Sequence, residues 1–317
     1  MRTFFISLSL AILAYTGTAL SISKGELPTE TDWYLHVDLT QMRSTVTGQH
    51  LMVWMSDEVF DEIEGDTGVD LEKNLDGITV FGNGDEENDA ALLLHGNLSG
   101  SLQADIVAFL ESETDTLVKE SMGYIEVYSF EDLHLKDRKR RHRRKSKNDD
   151  VDITVTADDG AFIAFGKKGQ TLITQNRSLL ETWSDAGGQL SNRSSNHSGA
   201  LLVLEADRSL IQGGVKRDIG HRGPWNSSIG KNMEQIALIL FDEAGLAALD
   251  VNILTSTPKT AESLHDVVKG LLSLKSLTLD DEPEISELLD DTDVNLSGQT
   301  VTISARFDPE TLVSIFD

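Results

Sequence analysis

The stretch KDRKRRHRRKSK, residues 136–147, places nine cations beside a single acid. Lys136, Arg138, Lys139, Arg140, Arg141, Arg143, Arg144, Lys145 and Lys147 surround only Asp137, His142 and Ser146. Guanidinium groups are planar forks that match phosphate, sulfate and carboxylate oxygens, and lysines add point charges. Residues of these types at this density bind anions. Burying so many unpaired charges would cost far too much, so the run must be an exposed loop. It contains no aromatic residue on which a base could stack, so its contacts would be non-specific and salt-sensitive. Four readings are open: an inert solvated insertion, a binding arm for an anionic polymer such as DNA, polyphosphate or acidic polysaccharide, a dock for an acidic protein surface, and a protease-cleavage site at RKRR.

The rest of the chain has the opposite sign. The 317 residues carry 27 Lys or Arg against 53 Asp or Glu, a formal net charge of -26. Outside residues 136–147 there remain 18 bases and 52 acids, a net of -34. Such a surface favours solubility and repels nucleic acid and anionic membranes. It also attracts the basic run to acidic faces of its own or a neighbouring molecule, within a Debye length of roughly 8 Å at physiological salt.

No other constellation carries chemistry. Neither a His-Glu-x-x-His helix nor a Gly-x-Ser-x-Gly elbow is present. GAFIAFGK looks like a phosphate loop, but Lys168 stands where Ser or Thr is required, and its apolar middle reads as strand. STPK, Ser256–Lys259, has the Ser-x-x-Lys spacing, yet Ser256 reads as a helix cap before Pro258. DDTDVN, Asp290–Asn295, starts like a calcium loop, but Leu296 replaces the turn glycine and Thr302 the bidentate acid. DEVFDEIEGDTGVD reads as a solvated acidic face. The eight His are scattered, and His134 and His142 lie beside cations that oppose a metal. No catalytic residue, metal ligand or cofactor is assigned. A second basic loop, QGGVKRDIGHRGPWNSS, carries Lys216, Arg217, His221, Arg222 and Trp225. Six Asn-x-Ser sequons stand at Asn97, Asn176, Asn192, Asn196, Asn226 and Asn295, which a eukaryotic secretory pathway could glycosylate.

Residues 1–19 read as a signal peptide. Arg2 supplies the positive end, Phe4–Tyr15 an apolar run of 12 residues, and Gly17 and Ala19 a small-residue cleavage site. Twelve apolar residues fall short of the ~20 that span a bilayer, and no later run is long enough. The chain has no cysteine, hence no disulfide, thiolate metal site or lipidated Cys. The expectation is a soluble periplasmic or extracellular protein.

The elements that must position these features follow from period. WYLHVDL alternates as a strand, and HLMVWMSDEVFDEI has helical spacing. DGITVFG and AALLLHGNL are strands, SLQADIVAFLES a helix with Leu102, Ile106 and Leu110 on one stripe, and GYIEVYSF a strand running into the basic block. VDITVTA, GAFIAFG and QTLITQ are three further strands, followed by the helix NRSLLETW. A Ser/Asn/Gly-rich linker at 186–199 separates a first module, 20–185, from a second, 200–317. The second holds the strand ALLVLEA, two hairpins, the helix TAESLHDVVKGLLSLKSL with a Leu264, Val267, Val268, Leu271, Leu272 stripe, and a terminal helix. The halves share an element order, which predicts an α+β fold of two similar modules, each an antiparallel-rich sheet covered by helices, from an internal duplication.

GYIEVYSFED, GAFIAFGKKGQTLITQNRSLLETWSDA and DVNLSGQTVTISARFDPETLVSIF together resemble uncharacterised secreted bacterial α/β proteins classed as domains of unknown function. The resemblance implies export and an α/β fold, brings no catalytic residues, and makes the sequons of little weight. The expected function is an exported binding or interaction protein that uses Lys136–Lys147 against anionic polymers or acidic proteins. The alternative is a hydrolase with carboxylates between the modules, about 5–9 Å apart.

Overall fold

In the computed structural model the residues described are 27–28, 31–83, 90–96, 98, 100–114, 116–135, 153–166, 169–185, 197–209, 211, 230–275 and 291–314. The strands are β1 (Trp33–Asp38), β2 (Leu75–Gly82), β3 (Ala90–Gly96), β4 (Val118–Met122), β5 (Ile125–Leu135), β6 (Ile153–Phe165), β7 (Gln170–Thr174), β8 (Ala200–Asp207), β9 (Met233–Glu243), β10 (Leu246–Thr255), β11 (Thr292–Ser297) and β12 (Thr300–Phe307). The α-helices are α1 (Leu39–Ser44), α2 (Val46–Met55), α3 (Asp61–Thr67), α4 (Ser101–Glu113), α5 (Arg177–Asp185), α6 (Pro258–Lys275) and α7 (Pro309–Ser314), with a π turn at Ser56–Phe60.

The expectation of two similar helix-covered modules is overturned. The strands follow two hydrogen-bonded runs, β11-β12-β10-β9-β8-β1-β2 and β3-β7-β6-β5-β4. Each pair of defined register is antiparallel. The reason lies in what the period-2 pattern encodes. Alternation tells which face of a strand is buried, but not which strand lies along its edge. An open edge is a row of unmet donors and acceptors, and β1 fills both of its edges. Leu35 opposes Val80 of β2 on one side and Leu204 of β8 on the other. A strand from before the linker is thereby paired with one from after it.

The described residues divide into two compact units, one within Met55–Asp76 and Ala91–Leu190, the other within Thr16–Trp54, Gly77–Ala90 and Ser191–Asp317. In the first, β5 and β6 bring Tyr128, Phe130, Ala161, Ile163 and Phe165 onto one face. Leu110, Ile106 and Phe109 of α4 pack there. Tyr128 and Phe165 meet edge to face, centroids 5.9 Å apart. From α5, Leu180 and Trp183 are fully buried. Gly166 closes the β6–β7 turn, its amide donating to the Gln170 carbonyl at 2.8 Å. A Cβ at Gly166 would lie 2.6 Å from Cη2 of Trp183.

In the second unit β1 passes into α1 without a loop, because Asp38 Oδ1 accepts from the Gln41 amide at 2.8 Å and caps the helix. His36 and Thr79, both buried, meet across β1 and β2 with Nδ1 and Oγ1 2.5 Å apart. A second core gathers Met233, Ile253, Val294 and Val301 under Ala261 and Leu264 of α6, with Val268 and Leu272 packed beside them. The apolar stripe expected on α6 therefore splits: Leu264, Val268 and Leu272 face the sheet, and Val267 and Leu271 are exposed.

The start of α2 is capped from far along the chain. Asp242 Oδ2 accepts from the Thr47 amide at 2.8 Å, and Oδ1 from the Gly245 amide at 3.1 Å. Gly245 belongs to the β9–β10 turn, where Ala244 and Gly245 both take positive φ, 56° and 90°, as a tight hairpin requires. One carboxylate thus ties a helix start to a hairpin turn. Burial pushes the Asp242 carboxyl up, but the Thr47 and Gly245 amides outweigh it and hold the group below the ordinary range.

Two outcomes are expected. Asp242→Ala leaves two backbone donors without their carboxylate and should lower unfolding free energy by about 1–3 kcal/mol. Because the folded-state value is depressed, Asp242's contribution is present above the unfolded value of roughly 3.9 and fades as pH falls through the folded value. Urea melts of wild type and variant should accordingly differ at pH 7 and converge in acid. Gly166→Ala forces Trp183 or the turn to move and should cost about 1–3 kcal/mol, read as a lower urea midpoint with unchanged slope.

Candidate functional site

The strands that carry the basic run form a hairpin with a break in it. Near the core the register is regular, from Glu126 opposite Phe165 to Phe130 opposite Ala161. It then shifts: Glu131 alone faces residues 157–160, and pairing resumes with Asp132 opposite Thr156. Gly160 sits in this irregularity with φ +82°, a left-handed conformation that bulges favour. Beyond the break the hairpin continues as a short arm of four pairs ending at Leu135 opposite Ile153. Residues 136–152 join those two ends. The nine candidate residues Lys136, Arg138, Lys139, Arg140, Arg141, Arg143, Arg144, Lys145 and Lys147 lie outside the described residues. VDITVTA and GAFIAFG, read from the sequence as two strands, are one strand with the irregularity between them.

The other cations in the described part of the first unit are already occupied. Lys119 Nζ lies 2.8 Å from Glu126 Oε1 and 5.3 Å from the centroid of the Tyr128 ring that opposes it across β4 and β5. The Glu126 carboxylate, and after it Tyr128, raises the Lys119 ammonium, and Lys119 in turn holds Glu126 below the usual carboxylate range. Gln103 Nε2 donates to the second Glu126 oxygen at 2.8 Å. Arg177 bridges Glu120 and Glu181, each at 3.1 Å, with its guanidinium 5.6 Å from the centroid of the Phe162 ring. Lys73 pairs with Asp70 at 2.6 Å. Each cation described in this unit thus has a carboxylate beside it. The pairs escaped the sequence reading because VKESM has no apolar alternation to mark β4. Its exposed, charged face is that of an edge strand.

The remaining sequence candidates resolve one by one. GAFIAFG is strand β6, and its Gly166 serves the packing of Trp183 rather than a phosphate. In STPK the cap is Thr257, whose Oγ1 accepts from the Thr260 amide at 3.1 Å. Ser256 instead donates to Asn232 Oδ1 at 3.1 Å. The cap falls one residue later than expected because Pro258 opens the helix, and the residue before it is the one placed to receive the third amide. Asp293 and Asn295 are on the extended strand β11, which cannot wrap a calcium ion. Of the histidines, His197 Nε2 lies 3.1 Å from Glu205 Oε1, and Gln235 donates to the other Glu205 oxygen at 3.3 Å. Among the described residues no three His, Asp or Glu side chains gather as a metal site. No described helix is long and apolar enough to cross a membrane. Residues 212–228, the second basic loop, lie outside the described residues.

No protein-family model matches the chain, and no curated protein matches it. Among solved structures it is similar to crystal form III of TP0453, with TM-score 0.52 and 9% sequence identity over 93% of this chain and 98% of that one. Crystal form I of TP0453 is similar at TM-score 0.51 and 9% identity, over 94% of this chain and 98% of that one. At that identity the likeness is one of fold: the chain shares the overall arrangement of TP0453.

Proposed function

We propose that the protein is an exported binding protein, and that Lys136–Lys147 is its contact surface for anionic polymers. The observation that carries this reading is that the run falls, in sequence, between the paired ends of the β5–β6 hairpin. Pairing reaches Leu135 and Ile153, and the residues between them carry the nine cations. Lys73, Lys119 and Arg177 are held by carboxylates, so they add no open positive surface beside it. The net of -34 outside the run would repel a polyanion over most of the remaining surface. The leader at residues 1–19 supports export, which sets a nuclear role for the run aside.

The polymer class follows from the residue types. Five Arg in the run favour bidentate contact with phosphate, sulfate or carboxylate, and the lack of an aromatic argues against base readout. Binding should therefore be indifferent to sequence and steep in salt. If six or more cations engage duplex DNA, affinity should fall by about 10³–10⁵ between 50 and 200 mM salt.

The test is retention of the mature protein on heparin and DNA resins over a salt series. Wild type should be held and elute as salt rises. A variant with all nine Lys/Arg of residues 136–147 changed to Gln or Ser should flow through, and Lys119→Gln should elute with wild type. Wild type that flows through both resins ends polymer binding as the function.

A further inference from the structure

Half of the asparagines in this chain stand in sequons. Twelve Asn and 54 Ser or Thr among 317 residues would give about two Asn-x-Ser/Thr triplets by chance, against the six present. The described structure separates two of them. Asn176 is committed to the fold: its Oδ1 accepts from the Leu179 amide at 3.0 Å and caps α5. A sugar on that carboxamide would disrupt the cap. Asn295 is placed differently.

β11 is the last strand of the order, paired only with β12 among the described strands. Its Val294 faces the core under α6, together with Val301 and Ile253. Asp293, Asn295 and Ser297 are exposed, on the opposite face by the alternation of a strand. The register continues that face inward as polar rows: Asn295, Thr302 and Asn252 stand across three strands, as do Asp293, Ser304 and Asp250. Thr302 donates to Asn252 Oδ1 at 2.7 Å. Among the described residues no hydrogen bond engages the Asn295 carboxamide. Of the six sequons, Asn295 alone has an acid two residues before it. On an extended strand the positions two before and two after the Asn share its face, and here those are Asp293 and Ser297.

We infer that Asn295 is an N-glycosylation site, with Asp293 and Ser297 completing the acceptor row; this rests on the export reading above. In the transfer, Asn295 Nδ2 forms a bond to the anomeric carbon of a sugar carried on a polyprenyl diphosphate. The anomeric C–O bond breaks with its electron pair leaving on the diphosphate, and one amide proton is released. Among the described strands β11 is an end strand, and a glycan at this position would stand beside that end.

The experiment is peptide mapping of the protein isolated from its own host. Tryptic cleavage after Lys275 and Arg306 gives one peptide, Ser276–Arg306, holding a single sequon. It should be heavier by a glycan, and enzymatic release should leave Asp at position 295. Ser297→Ala and Asn295→Gln, both at exposed positions, should each yield the bare peptide, and Asp293→Ala should lose occupancy. The N-terminal peptide from the same digest reports export separately. A processed leader with a bare Ser276–Arg306 peptide overturns the glycosylation site alone, whereas an intact Met1 leader overturns export and this inference with it. Full occupancy in Asp293→Ala overturns the part given to Asp293.

Discussion

A strand has donors and acceptors along both edges, and β1 meets this demand with β2 on one side and β8 on the other. The second unit is organised around that double pairing. His36 and Thr79 meet across it in the buried interior, and Asp38 at its end turns the chain into α1. With both edges of β1 taken, β9, β10, β12 and β11 can only add outward from β8. Among the described strands the order therefore ends on β11, and the apolar residues of β10, β11 and β12 find their cover in α6.

The polar interactions that matter most for packing are local fastenings of one element to another. Asp242 accepts from the α2 start and the β9–β10 turn at once, so a single carboxylate sets a helix against a hairpin. Thr257 and Asn176 cap α6 and α5 in the ordinary way. The surface pairs of Lys119, Arg177 and Lys73 are more exposed, and such pairs contribute little to stability. Their consequence is electrostatic: each described cation of the first unit stands beside a carboxylate.

The bulge in the β5–β6 hairpin separates two jobs along one pair of strands. Below it, Tyr128, Phe130, Ala161, Ile163 and Phe165 serve the core. Above it, four pairs extend the hairpin to Leu135 opposite Ile153.

Much of this was legible from residues alone. The strands GYIEVYSF, ALLVLEA and those of the β9–β10 hairpin, and the helices α4, α5 and α6, follow from periods of 2 and 3.6, because period reports which side of an element is buried. The basic run declared itself by charge density, and the six sequons by their spacing. The shared strand order did not, since alternation is silent about edge partners, and β1 could only be placed once β2 and β8 were seen beside it. β4 was missed because an edge strand can be charged and exposed. The stripe on α6 was read too wide because helical spacing cannot say which of Leu264, Val267, Val268 and Leu271 the sheet will reach. Local covalent and hydrophobic patterning is written residue by residue, and so the sequence determined the elements, the charge imbalance and the candidate anion-binding run. Long-range pairing depends on residues far apart in the chain meeting in space, as Asp242 and Thr47 do at 2.8 Å across 195 positions, and that only the tertiary structure decided.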